Sequence, residues 1–210
     1  MSAISEQPVL VYWKLKARGH MAHCMLAAGS VDFKYDDASA NAWPASKASA
    51  PFGQLPMMTH NGSTIAQSFA VARYCARLAG LMPADSMELA KVDMIIDHTG
   101  DIFAVMAKAK NAPTDEEKAA LWAKAEAEQL PAMLAFFTPL LNGKKYYGGD
   151  APNAADVALY SLLDIIVDAG VGDVLKAHPE LNEIMAGVKA TGRVQEMESF
   201  GPYLVKEKKQ

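Results

Sequence analysis

Residues 51–72, PFGQLPMMTHNGSTIAQSFAVA, change conformational period twice within a short span, and few folds accommodate that. Residues 57–60 and 63–66 read as two short strands, and Asn61-Gly62 between them supplies the pair that tolerates positive φ in a tight antiparallel hairpin. From Gln67-Ser68 onward Phe69, Val71, Ala72, Cys75 and Leu78 recur at helical spacing, so a helix starts directly at the end of the second strand. The first turn of a helix carries unpaired N–H groups and partial positive charge, a setting that holds a carboxylate, and Gln67 and Ser68 add side-chain donors. Leu55-Pro56 precedes the first strand, where an X-Pro bond admits a cis peptide that would present the Leu55 backbone as a free strand edge.

The run PFGQLP followed by AQSFAVARYCARLAG resembles the glutathione-binding half of the cytosolic glutathione transferases of tyrosine type, closest to the sigma class and also similar to mu, pi and alpha. The resemblance implies that Leu55, before Pro56, binds the cysteinyl backbone of glutathione, and that Gln67 and Ser68 hold its γ-glutamyl carboxylate. It also implies a fold of α/β plus all-α type: a thioredoxin-like domain with a mixed four-stranded sheet, then a helical bundle domain.

The rest of the chain fits that order. Residues 8–13 form an apolar, β-branched and aromatic strand, residues 14–17 a polar loop, residues 18–28 a helix closed by Gly29, and residues 31–35 a second strand. The Pro-containing segment after Gly80 suggests domains over 1–81 and 88–210 with a linker at 82–87, because every later pattern is helical. Apolar spacing predicts a long helix from Ser86 to about Lys110. Another runs from a cap at Thr114 to about Asn142, with Pro131 as a point where it kinks or divides. A third is capped by Asn153 and Asp156; further helices follow Pro179 and span 193–199.

Tyr12 ends the first strand, where ligands gather in α/β sheets, although a buried tyrosine is by itself commonly a core residue. The string VYWKLKAR maps Tyr12 onto the family's catalytic tyrosine and Arg18 onto its supporting arginine, with Lys16-Ala17-Arg18 standing where the family usually has Arg-Gly-Arg. The implied mechanism is donation of the Tyr12 hydroxyl to the glutathione sulfur, favouring the thiolate. Trp43 and Lys47, otherwise a surface aromatic and a solvated lysine, map onto the pair that holds the glycyl carboxylate, with Gln54 beside them. Asp97 and Asp101 lie one turn apart on a helix face. The resemblance makes Asp101 the acid that reaches the γ-glutamyl ammonium of a neighbouring subunit in a two-fold dimer, with Phe52 plugging into the partner.

Composition narrows the partners. A net charge of −4 excludes a nucleic-acid footprint of the usual basic kind, and the KEKK run at 206–209 reads as a solvated tail. No apolar run is long enough to span a membrane, and the two cysteines, Cys24 and Cys75, sit in helical apolar patterns, so a cytoplasmic, reducing setting is expected. His20 and His23 make half a metal site at most and read as surface or partly buried residues, so no metal is expected. Methionines near Met106 are candidates to line an apolar co-substrate pocket. The function implied is conjugation of glutathione, as co-substrate, to a hydrophobic electrophile by a homodimer. Alternatives are a glutathione-dependent isomerase of prostaglandin D synthase type and a non-catalytic, crystallin-like binder.

Overall fold

A computed structural model of the protein describes residues 6–39, 43, 45–197 and 200–204. The KEKK run and part of the expected last helix lie outside the described residues. The chain opens with β1 (Val9–Tyr12), β2 (Leu15–Lys16), α1 (His20–Ala28) and β3 (Lys34–Asp37), then β4 (Met57–His60), β5 (Ser63–Ala66) and α2 (Ser68–Leu78). One mixed sheet has the order β3-β1-β4-β5, with β1 parallel to β3 and antiparallel to β4, and β4 antiparallel to β5. Asn61 and Gly62 have φ of 49° and 71°, the two left-handed residues that this hairpin requires.

The second half is helical: α3 (Ser86–Lys110), α4 (Asp115–Lys124), α5 (Leu130–Leu134), α6 (Phe137–Leu140), α7 (Ala154–Asp168) and α8 (Pro179–Lys189). α7 packs against α1, α3 and α8 and buries nearly all of its length. Asn153 accepts from Ala155 N–H while Asp156 accepts from Asn153 N–H, so the expected reciprocal cap is present. Every residue of α1 is buried, as befits a helix enclosed on all sides. Among the described residues no helix is long and apolar enough to cross a membrane.

Several expectations are corrected. The strand expected at 31–35 begins at Lys34, because Val31 N–H bonds back to Leu26 O and is spent in closing α1. The helix expected from Arg18 begins at His20, after Gly19. Residues 14–17 are not merely a loop: β2 pairs in parallel with β6 (Gly201–Pro202), and of the helix expected at 193–199 only a short 3-10 turn, Val194–Glu196, is seen. The helix expected to Asn142 is divided rather than kinked, one of the two outcomes expected at Pro131. A π-helical turn over Ala125–Gln129 precedes Pro131, widening the ladder where the proline has no N–H to give and its ring crowds the carbonyl one turn back.

His20 and His23 are buried rather than at the surface, 4% and 6% exposed. His23 stacks on Phe200 at 5.0 Å and meets Phe33 and Tyr35, and its Nδ1 has no hydrogen-bond partner among the described residues. Burial, helped by the nearby His20, pushes its pKa down to about 3. Below pH ~6.5 the unfolded chain therefore binds a proton at this position that the folded chain refuses, so stability falls as pH falls. The expected loss is about 1.4 kcal/mol per pH unit between roughly pH 6.5 and pH 3. Urea midpoints measured across that range test it: His23→Phe flattens the acid limb, and an unchanged limb contradicts the assignment.

Candidate functional site

Two cavities meet where the sheet faces the helical half. The first is a polar groove of about 360 Å³ lined by Arg18, Phe52, Gln54, Leu55, Pro56, Ala66, Gln67 and Ser68. The hairpin brings its two ends beside one another: Met57 pairs with Ala66, so Leu55-Pro56 lies against Gln67-Ser68. The Leu55-Pro56 bond is cis. Gln67 caps α2 without a side-chain hydrogen bond, and the first capping-end N–H with a backbone partner is that of Val71, which bonds Gln67 O. The earlier N–H groups of the helix are thus left open toward the groove, where an anion is favoured.

Gln67 sits at φ 73°, ψ 118°, outside the regions that a side chain with a Cβ prefers. Sequence reasoning named Gln67 for its amide but gave no hint of this strain, which costs on the order of 1–3 kcal/mol and marks a place where the backbone is held for a purpose. Gln67→Gly is expected to raise stability by about 1 kcal/mol, read as a higher Tm, because glycine adopts positive φ freely. A lower Tm would show that the Gln67 side chain stabilises more than its backbone costs.

The second cavity, about 560 Å³, is lined by Tyr12, Trp13, Leu15, Ala17, Arg18, Leu55, Phe103, Ala107, Asn111 and Tyr203. Arg18 and Leu55 belong to both cavities, so the two adjoin there, and Tyr12 lines the second. Tyr12 is 5% exposed, and burial pushes its pKa up to about 12 against the opposing pull of the Arg18 and Gly19 backbone. The phenol therefore keeps its proton at neutral pH and acts as a donor, not as a base. Gly19 allows this approach, since a Cβ there would stand 2.4 Å from Tyr12 Cδ1. Gly19 was missed in the sequence; the only signal was a glycine between a strand-end tyrosine and a helix start.

Arg18 lies with its guanidinium 5.0 Å from the centre of the Phe103 ring. The apolar wall comes from Phe103 and Ala107 of α3, whereas Met106, expected to line it, is fully buried in the core. Tyr203, from the segment after β6, donates to Asn111 Oδ1 at 3.3 Å and closes one side.

Other site candidates stand further off. Trp43 is half-buried and meets Trp13 edge-to-face at 6.1 Å, so it reaches Tyr12 only through Trp13. Lys47 is exposed and packs beside Gly53, adjacent to Gln54. Asp97 pairs with Arg73 at 2.6 Å, while Asp101 is 76% exposed and 3.8 Å from His98 Nδ1; neither lines the groove. Phe52 is 64% exposed at the groove's edge. No group of three or more metal-ligating side chains is found among the described residues.

Comparison with known proteins agrees with this geometry. The profile of the glutathione S-transferase N-terminal domain matches residues 8–77, and that of the glutathione S-transferase C-terminal domain matches residues 100–198. A probable glutathione S-transferase 6 of Caenorhabditis elegans is 40% identical over 92 residues, covering 44% of this chain and 45% of the relative. A glutathione S-transferase of Anopheles gambiae is 28% identical over 180 residues, covering 84% and 88%. Among solved structures, rat hPGDS complexed with a quinoline superposes with a TM-score of 0.81 at 21% identity over 91% of this chain and 95% of that one, a likeness of fold.

Proposed function

Because the chain belongs to the cytosolic glutathione transferase family, we propose that the polar groove holds glutathione and the apolar cavity a hydrophobic electrophile, with Tyr12 between the two reactants. The observation that carries this reading is the neutral, buried phenol in the wall of the apolar cavity, which shares Arg18 and Leu55 with the polar groove. The enzyme is a glutathione transferase. The γ-glutamyl carboxylate of glutathione is received by Gln67, Ser68 and the open N–H groups of α2, its cysteinyl backbone by Leu55 before Pro56, and its glycyl carboxylate by Trp43 and Lys47 with Gln54 alongside. Both ends of the tripeptide carry a carboxylate, which suits this set of donors.

Held in this way, the sulfur lies toward Tyr12. A free thiol with pKa ~8.5 is only a few per cent ionised at neutral pH, and the thiolate is the nucleophile. A hydrogen bond to a charged acceptor contributes about 1.5–3 kcal/mol, enough to lower the thiol pKa by roughly one to two units. Tyr12 can supply that bond because its own pKa is far higher. Arg18 adds positive potential from the rim shared by both cavities. The thiolate then forms the carbon–sulfur bond, and the leaving group departs with the displaced electron pair.

The pattern of exposure supports a homodimer. Phe52, Met94 and Phe136 are large apolar side chains left 64%, 49% and 63% exposed, and Asp101 is free to reach outward from α3. Light scattering is expected to give the mass of two chains, and Asp101→Ala to weaken glutathione binding only in the dimer; a monomer with full turnover contradicts the role given to Asp101. Two free, buried cysteines fit residence in the reducing cytoplasm.

The testing experiment is conjugation of glutathione to chlorodinitrobenzene. Stoichiometric consumption of glutathione supports transfer; turnover of a substrate with glutathione regenerated points to isomerisation, and absence of any turnover points to a binder.

A further inference from the structure

Lys16 and His20 bracket Ala17-Arg18-Gly19, in which Gly19 packs against the Tyr12 ring, and both side chains end on one carboxylate. Lys16 Nζ is 3.0 Å from Asp164 Oδ2 and 2.6 Å from Asp168 Oδ2, and His20 Nε2 is 2.8 Å from Asp164 Oδ2. Lys16 lies on β2 and His20 opens α1, whereas Asp164 and Asp168 sit one turn apart on α7 in the helical half. The cluster is withdrawn from water, with the side chains of His20, Lys16 and Asp164 4%, 13% and 17% exposed. Ions so placed depend on their partners, since removing one strands the others.

The remaining groups around the cluster do not substitute for that carboxylate. Cys24 Sγ is 3.6 Å from His20 Nε2, but burial first, and then Asp164, push its thiol far up, so it stays neutral. Burial also pushes up the Tyr160 hydroxyl, which is influenced by Cys24, Asp164 and Asp168. Asp168 reaches Lys16 alone. Burial would lift the Asp164 carboxyl, but His20 and Lys16 outweigh it and hold it below the usual range.

We propose that Asp164 is a positioning residue for catalysis: through Lys16 and His20 it clamps both ends of the Ala17-Arg18-Gly19 segment to α7, fixing the backbone that packs on the Tyr12 ring and with it the place of the Tyr12 hydroxyl. Small displacements matter in such an arrangement, because misplacing a reacting group by 1 Å can lower a rate by about a hundredfold. The clamp rests on the reading of Tyr12 given above. It also accounts for lysine at position 16, whose ammonium is turned away from the cavities toward α7.

Asp164→Asn keeps the shape and removes the charge. The pH midpoint of kcat/KM for conjugation is expected to rise by about one unit, with activity about tenfold lower on the acid side and converging with the parent in alkali. Affinity for S-methylglutathione, which has no proton to lose, is expected to stay within about twofold. Lys16→Met, which leaves the Asp164–His20 pair, should move the midpoint in the same direction by less, and it carries the test should Asp164→Asn not fold. An unmoved midpoint in whichever variant folds, even with reduced activity, overturns the clamp and leaves these residues a purely structural role. If Tyr12→Phe in the otherwise native chain also leaves the midpoint in place, the underlying reading of Tyr12 has failed; if Tyr12→Phe alone moves it, only the clamp has.

Discussion

Tyr12→Phe lowers conjugation at neutral pH by about tenfold to a hundredfold while the protein stays folded. The ring remains in its buried place at the end of β1 and only the hydroxyl is removed. What is lost is a hydrogen bond to an anion, about 1.5–3 kcal/mol, which returns the bound thiol toward its free pKa. The defect is therefore expected to depend on pH. It is largest well below pH ~8.5 and shrinks above it, where the thiol ionises without help. Loss of the hydroxyl also removes its interaction with the Arg18 and Gly19 backbone, so a small drop in Tm accompanies the kinetic effect. Measurement of kcat/KM across pH checks both parts; a defect equal at all pH values would mean that Tyr12 acts in something other than ionisation.

The second large effect is on stability, at Asp156. Its side chain is fully buried and accepts from the N–H groups of Tyr147 at 2.9 Å, Gly148 at 3.2 Å and Asn153 at 2.9 Å. One carboxyl thus ties the turn at 146–149 to the start of α7, the helix against which α1, α3 and α8 all pack. Burial, against the pull of those N–H groups, lifts its pKa above the usual carboxylate range, yet the donors need an acceptor in either protonation state. Asp156→Ala leaves three part-buried N–H groups without their acceptor and empties a fully buried site, and is expected to cost about 3 kcal/mol, a large part of the 5–15 kcal/mol typical of a folded chain. Denaturant melts and soluble yield report it. A loss under about 1 kcal/mol would mean that the turn finds other acceptors.

Local codes made much of this molecule legible. The Asn-Gly hairpin, the switch to helical spacing at Gln67, the length of α3 and the Asn153–Asp156 cap each depend on neighbouring residues, and each is found where the sequence placed it. Non-local pairings were not legible. Nothing near Leu15 announces that it will meet Gly201, and nothing near Lys16 announces Asp164. The shift of β3 to Lys34 follows from three backbone bonds that close α1 at Gly29, Ser30 and Val31, an ending that apolar spacing does not encode.

The candidate site divides along the same line. Gln54, Leu55, Pro56, Gln67 and Ser68 were found together because the hairpin makes them neighbours in space as well as in sequence. The close fit of Gly19 on Tyr12, the left-handed Gln67 and the wall supplied by Tyr203 required the tertiary structure, since each arises where distant segments meet or strain one another. Asp101 was legible as a helix-face acid, but its partner would belong to a second chain.

The most direct measurement is an ultraviolet difference titration of glutathione bound to the native protein, following thiolate absorbance as pH is raised. The account predicts that the bound thiol ionises at least about one unit below its free value of ~8.5, so that about half of it or more is thiolate near pH 7.5. A bound thiol titrating at its free value, with conjugation nevertheless proceeding, would contradict it.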